Sequence, residues 1–320
     1  MRAIVITENG GPEVLVAGER PVPDPGPGEV LIDVAAAGVN FIDVYFRTGA
    51  YPQELPFTPG VEAAGTVAAT GDGVTEFSVG DRVAWVNVQG AYAEQVAIPA
   101  GRVVPVPDGV TLEDAAASLL QGMTAHYLTR STYPIREGDT VLVHAAAGGM
   151  GLLLTQAAKA LGARVIGTAS TPEKEKLARD AGADVTMGYD GFPDKVRELT
   201  GGEGVAAVYD GVGAPTFDGS LASLRRRGVL ALYGAAGGKV PPFDPQRLNA
   251  AGSVYLTRPT LAHFTEAREE LLERAADVYG WVASGAVHIH VGHRYDLAEA
   301  ATAHADLQSR RTTGKLLLLP

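Results

Sequence analysis

GDTVLVHAAAGGMGLLLTQAAK, residues 138–159, decides the fold. Residues 141–144 are a short apolar run, long enough for a buried parallel strand. Ala145, Ala146, Ala147, Gly148, Gly149, Met150 and Gly151 follow without a charged side chain, and a helical pattern continues over 152–161. A strand that turns tightly into a helix aims the helix's free N–H groups and positive dipole end at the turn. An anion can sit there if nothing bulky blocks the backbone. Ala146, Gly148 and Gly151 keep the G-x-G-x-x-G spacing with alanine in first place, and a second strand, 164–168, follows the helix. That context predicts a dinucleotide site in which the main-chain N–H groups of Gly148, Gly149, Met150 and Gly151 receive the pyrophosphate. The plainer alternative is glycine required only for close helix–sheet packing.

Outward from this stretch, strand and helix alternate. The strands expected are 141–144, 164–168, 184–187, 206–210, 229–233 and 253–256; the helices are 152–161, 173–181, 192–200, 216–224 and a weak one near 244–248. Six strands in βαβ repeats predict a doubly wound parallel sheet. Residues 1–110 differ: short apolar runs at 3–6, 29–35, 61–69, 81–88 and 92–98 alternate with turn signals, as in an all-β block with a strongly bent sheet. Thr111 and Asp114 resemble a capping box that opens a helical stretch through 115–128. Near the end, 265–283 is amphipathic, with Leu271, Ala275, Val278 and Val282 on one stripe, and 314–319 is a strand. Its composition suits the β block, so the C-terminal segment is expected to return there. The expected domains are 1–122 with 259–320, and 123–258, with a cleft between them.

Composition narrows the chemistry. A net charge of −11 over 320 residues argues against a nucleic-acid or anionic-membrane partner. The absence of cysteine removes disulfides, thiolate catalysis and Cys-ligated zinc. MRAIVITENGGPEVL lacks the apolar core of a signal peptide and no run is long enough to cross a bilayer, which predicts a cytoplasmic protein.

The second strand of an NAD site normally ends on an acid that accepts from the ribose 2′-OH. Here 168–174 reads TASTPEK. Glu173 falls in the first helical turn behind Pro172, where a carboxylate usually caps. Ser170, Thr171 and Lys174 suit a 2′-phosphate, so NADP(H) is expected over NAD(H); the alternative for Lys174 is a solvated helix lysine. Tyr189 follows the third strand and either lies against the adenosine end or packs on the surface.

The chain resembles the zinc-less medium-chain dehydrogenases/reductases, and among them the NADPH:quinone oxidoreductases related to zeta-crystallin. The resemblance rests on Gly138, Asp139, Leu142, Ala146 to Gly149, Gly151, Gln156 and Lys159, and on GGPEVL (10–15), GVNFIDVYFRTGAYP (38–52), VYDGVG (208–213), YLTRP (255–259) and the closing SRRTTGKLLLLP. It implies a GroES-like β-rich catalytic domain, a Rossmann cofactor domain, NADPH and often a homodimer. Zinc relatives carry Cys where Val39-Asn40 stands and Gly-His-Glu where Gly60-Val61-Glu62 stands. The seven histidines show no ligand spacing, so no metal is expected. Without a Lewis acid the substrate must take hydride easily, as quinones and α,β-unsaturated carbonyls do.

The resemblance also locates the remaining candidates. Asn40, Asp43 and Tyr45 lie where the family's catalytic domain meets the nicotinamide. Asn40 either bonds the carboxamide or acceptor oxygen or caps a loop; Tyr45 either donates to the reduced oxygen or walls the pocket. Tyr127 is expected to line the cleft. Gly211 and Gly234 let the chain pass near ribose and nicotinamide, or serve turns. Arg258 and Arg310 bring cations to the cofactor, or form surface ion pairs. The expected reaction is direct hydride transfer from NADPH to a small-molecule quinone, with no covalent intermediate. The alternatives are an enone, 2-alkenal or enoyl-thioester reductase, and a non-catalytic NADPH-binding protein of the crystallin or RNA-binding kind.

Overall fold

The computed structural model describes residues 1–309 and 311–320; Arg310, one of the expected cofactor residues, lies outside the described residues. The chain forms two compact units, Met1–Met123 with Phe264–Pro320, and Thr124–His263.

The first unit begins with β1 (Arg2–Val5) and β2 (Val16–Glu19), an antiparallel pair. Then come β3 (Glu29–Val39), α1 (Phe41–Arg47), β4 (Glu62–Thr70), β5 (Arg82–Val86), β6 (Gln95–Pro99), β7 (Val103–Pro105) and α2 (Leu112–Tyr127), whose last residues, from Thr124, belong to the second unit. Strand β3 is the spine. It pairs with β4 along most of its length and with β6 over Glu29 to Asp33. Register shifts between Leu31 and Ile32 and between Val34 and Ala36 mark irregularities where a sheet bends. Val30, Leu31 and Ile32 are all buried, so the strand is covered on both faces here. Trp85, Ile98, Ile4 and Ile32 fill the core beneath. At the start of α2 the Thr111 hydroxyl accepts the Asp114 N–H at 3.0 Å and donates to Asp114 Oδ2 at 2.7 Å. Asp is one methylene shorter than the usual Glu, and its carboxylate takes the hydroxyl proton.

The second unit holds β8 (Thr140–Val143), α3 (Gly149–Ala160), β9 (Arg164–Thr168), α4 (Pro172–Asp180), β10 (Val185–Met187), α5 (Phe192–Leu199), β11 (Val205–Asp210), α6 (Phe217–Ser223), β12 (Leu224–Leu232), α7 (Gln246–Ala250) and β13 (Tyr255–Thr257). The six strands are parallel in the order β10-β9-β8-β11-β12-β13. This is the doubly wound Rossmann sheet that the 138–159 stretch implied, with β8 and β11 flanking the point where strand order reverses. The boundaries that moved have local causes. Strand β12 starts five residues before the apolar run because Leu224 already pairs with Val205 of β11; residues 225–228 then fall in a register shift before Val229 resumes the pairing. Strand β13 starts later than expected because Ser253 is left-handed, at φ 54°.

The chain then re-enters the first unit as α8 (Arg268–Ala283), β14 (Val291–Asp296), α9 (Ala300–Ser309) and β15 (Lys315–Leu319). Strand β15 pairs antiparallel with the end of β3 and parallel with β14. Leu271, Ala275 and Val278 of α8 are buried, whereas Val282 is only half-buried. No helix of the described residues is long and apolar enough to cross a membrane.

Candidate active site

In the second unit, the carboxyl ends of β8, β9 and β11 form the edge over which doubly wound sheets bind nucleotides. The turn after β8 is tight: Gly148 N–H bonds Ala145 O and Ala146 N–H bonds Thr168 O, both at 2.9 Å. Gly148 is the N-cap of α3 and brings no capping side chain, so the first-turn N–H groups of Gly149, Met150 and Gly151 have no partner within the helix. A Cβ on Gly151 would lie 2.6 Å from Ala146 Cα, inside contact distance. The turn therefore demands glycine and leaves a cradle of N–H groups at a helix start, which suits a pyrophosphate.

Past β9, Ser170 is exposed, and Thr171 caps α4 by accepting the Lys174 N–H. Glu173 is held below the usual carboxylate range by its own backbone N–H and the Thr171 hydroxyl, so it is occupied in capping. Partial burial lowers the Lys174 ammonium below its ordinary value. Tyr189 is half-buried; its hydroxyl accepts the Ala145 N–H at 3.2 Å, which ties it to the turn after β8. Gly211 and Gly234 abut each other: a Cβ on Gly234 would sit 2.6 Å from Gly211 O, and one on Gly211 would meet the Tyr233 ring at 2.8 Å. Contact between two strand-end loops thus requires both glycines. Arg258 donates to Tyr233 O at 2.7 Å, and Tyr127 is buried, which pushes its phenol up.

In the first unit, Asn40 is the N-cap of α1 and 4% exposed. Its side-chain N–H groups donate to Glu62 Oε2 at 2.9 Å and Gly38 O at 3.2 Å, and its Oδ1 accepts from Lys315 Nζ at 2.7 Å. Lys315 also donates to Glu62 Oε2 at 2.5 Å, and Glu62 Oε1 accepts the Leu120 N–H at 2.6 Å. Both ion-pair partners are buried. With both amide hydrogens engaged, Asn40 retains only acceptor capacity on Oδ1.

Asp43 is fully buried. Its Oδ2 accepts the Asn40 N–H at 2.9 Å and the Tyr92 hydroxyl at 3.0 Å; Oδ1 has no partner. Burial lifts its carboxyl to about 7, against the pull of Asn40, Tyr92 and Lys315. Tyr92 continues to His304 Nε2 at 3.1 Å, and His304 Nδ1 to Arg47 Nη1 at 3.2 Å. Arg47 only donates, so Nδ1 must accept and Nε2–H must donate to Tyr92. Burial, then Arg47, pushes His304 down to about 3. Tyr45 is half-buried beside Tyr51, ring centroids 5.2 Å apart, and Phe46 meets Tyr51 edge-on at 5.7 Å.

Sequence reasoning missed Lys315, Tyr92, His304 and Arg47. A lone cation heading the apolar run KLLLL was the one signal available for Lys315. Among the described residues, no three His, Cys, Asp or Glu side chains group as a metal site.

A bent β unit and a doubly wound sheet with a glycine-lined turn at the start of α3 define a medium-chain dehydrogenase/reductase. Residues 26–108 match the alcohol dehydrogenase GroES-like domain family and 149–277 the zinc-binding dehydrogenase family. The quinone oxidoreductase of Pseudomonas aeruginosa is 46% identical, over 97% of both chains. The 2-haloacrylate reductase of a Burkholderia species is 43% identical, over 99% of this chain and 98% of its own. A mycobacterial protein solved in complex with NADPH is 59% identical, with a TM-score of 0.97 over 100% of both chains. The chain belongs to the quinone oxidoreductase family.

Proposed function

We propose that this protein is an NADPH-dependent quinone reductase that works by direct hydride transfer without a metal. One observation carries the cofactor choice: the glycine-lined turn is followed, past the end of β9, by Ser170, Thr171 and Lys174, with no acid at the strand end itself and Glu173, in the first turn of α4, spent on capping. When bound, the dihydronicotinamide supplies a hydride. The chain's own residues hold and orient. Gly148, Gly149, Met150 and Gly151 take the pyrophosphate; Ser170, Lys174 and Tyr189 take the adenosine phosphate. Asn40 Oδ1, polarised by the Lys315 ammonium, is the acceptor offered to a carboxamide N–H. The Tyr45 hydroxyl donates to the reduced oxygen, and the Tyr45–Tyr51–Phe46 group offers flat apolar surface to a quinone ring. Asp43, Tyr127, Gly211, Gly234, Arg258 and Arg310 complete the assigned cofactor set.

The ammonium of Lys315 supports the metal-free reading. It stands within 2.7 Å of Asn40 Oδ1 and Glu62 Oε2, so a divalent ion at these donors would meet a fixed positive charge. The similarity to a 2-haloacrylate reductase favours, as a second reading, activated alkenes as acceptors. NADPH consumption with 1,4-benzoquinone beside a 2-alkenal separates the two. Turnover with benzoquinone, faster with NADPH than NADH and unchanged by chelator, is expected; tight NADPH binding without turnover on either acceptor refutes both.

We further infer a cytoplasmic homodimer. Strand β13 is the sheet edge, and Tyr255 on it is 61% exposed, which fits pairing across a two-fold axis. A monomeric mass by light scattering would contradict this.

A further inference from the structure

Beneath the carboxyl edge of the sheet in the second unit lies a polar chain whose members are all buried. His144, the residue after β8, is 0% exposed. Its Nδ1 is 2.9 Å from Thr168 Oγ1 at the end of β9, and its Nε2 is 3.0 Å from Ser220 Oγ on α6. Ser220 donates to Asp210 Oδ2 at 2.8 Å, at the end of β11. Asp210 also accepts from Thr216 Oγ1 at 2.7 Å and from the N–H groups of Val212 and Gly213 at 2.8 and 3.0 Å. Proton counting fixes the direction. The single hydroxyl hydrogen of Ser220 goes to the carboxylate, so its oxygen must accept from His144 Nε2–H. Nδ1 is then bare and accepts from Thr168. Four groups therefore form one oriented chain, Thr168 to His144 to Ser220 to Asp210. Burial pushes the imidazole down to about 4, so the neutral tautomer this orientation needs is the one present at neutral pH.

The chain ties together the ends of three strands, and each end begins a loop assigned to the cofactor: 144–151 for the pyrophosphate, 168–174 for the 2′-phosphate, 210–213 for the ribose side. The imidazole also stacks under Tyr189, 6.2 Å between centroids at 18°, while Phe192 abuts it edge-on at 4.9 Å. Tyr189 in turn holds the N–H of Ala145, a non-glycine residue at φ 50°. A left-handed alanine persists only where its surroundings hold it.

We propose that His144 is a positioning residue for the adenosine-phosphate end of the cofactor: its oriented hydrogen bonds set the spacing of the three loops, and its ring seats Tyr189. This rests on the NADPH reading above. It touches no reacting atom, so it acts on binding and leaves the chemical step alone.

The test is titration calorimetry with 2′,5′-ADP, which probes the adenosine end without the nicotinamide. His144→Leu keeps apolar volume and deletes both hydrogen bonds. It should weaken 2′,5′-ADP at least tenfold and raise KM for NADPH in step, with kcat at saturating NADPH within about twofold of wild type. Ser220→Ala and Thr168→Val each cut the same chain and should weaken the ligand severalfold. The His144→Leu/Ser220→Ala double variant should be no weaker than His144→Leu alone, because the chain is already broken. Where His144→Leu does not fold, the Ser220 and Thr168 variants decide. Unchanged affinity with a reduced number of binding sites, or a lowered melting temperature alone, would make His144 merely structural and overturn the inference. Additive losses in the double variant would overturn the chain. Failure of wild-type protein to bind 2′,5′-ADP or NADPH refutes the cofactor reading itself and takes this inference with it.

Discussion

Replacing Lys315 by Met should destabilise the first unit by about 3 kcal/mol, the lower end of what removing one partner of a buried ion pair costs. The lower end applies because Glu62 would keep the Leu120 N–H at 2.6 Å and the Asn40 amide at 2.9 Å. Its third donor, the ammonium at 2.5 Å, is the only full charge facing it in this cluster. Adding Glu62→Gln removes the stranded charge and should recover at least about 2 kcal/mol, since a buried pair replaced by neutral groups is often close to neutral. Tryptophan fluorescence in urea reads this unit alone, because both tryptophans, Trp85 and Trp281, lie in it. With a slope of about 3 kcal/mol per M, the midpoint should fall by about 1 M in the single variant and return most of the way in the double. A single-variant shift under about 0.3 M at unchanged slope would refute the assignment of a stabilising ion pair.

Titration gives a second prediction. Asp43, raised to about 7 from an unfolded value near 4, stabilises most fully below about pH 4, and that stability is lost as pH rises through 7. His304 and His144, lowered to about 3 and about 4, act oppositely: their stability is present above about pH 6.5 and is lost as pH falls. Asp43→Asn should therefore make stability climb more steeply between pH 4 and 7, by up to about 1.4 kcal/mol per pH unit, in urea midpoints across that range; parallel profiles would contradict this. Gly151→Ala should cost about 1–3 kcal/mol by overpacking against Ala146 and weaken NADPH at least tenfold by calorimetry. Lys174→Met should reduce the kcat/KM preference for NADPH over NADH roughly ten- to hundredfold, the worth of a hydrogen bond between charged groups. Tyr45→Phe should lower kcat with benzoquinone while leaving NADPH affinity unchanged; an unaltered kcat would reduce Tyr45 to a wall of the pocket.

The sheet of the second unit was legible because its strands are apolar runs punctuated by glycine, and burial on both faces leaves such runs unbroken. The first unit was legible only in part. Strand β14, VGHRYD, lies at a sheet edge with four of its six residues exposed, so it shows no apolar pattern. Helix α1, FIDVYFR, is too short and too rich in β-branched and aromatic residues to show a helical period. Glycines and hydroxyls of the proposed cofactor turns announce themselves locally. The Asn40–Glu62–Lys315 cluster does not, since Lys315 is 275 residues from Asn40 and 253 from Glu62. Nor does the His144 chain, whose Ser220 lies 76 residues away.

The placement of β15 has a consequence for biosynthesis. The second unit is one continuous segment and emerges from the ribosome entire, whereas the first needs residues 315–319 to flank β3. Glu62 meets its countercharge only when translation has reached Lys315. A truncated chain would expose an unsealed sheet flank and a stranded carboxylate, the kind of surface chaperones and proteases recognise. Closure of the first unit thus waits on β15, whereas the second unit needs nothing beyond its own segment.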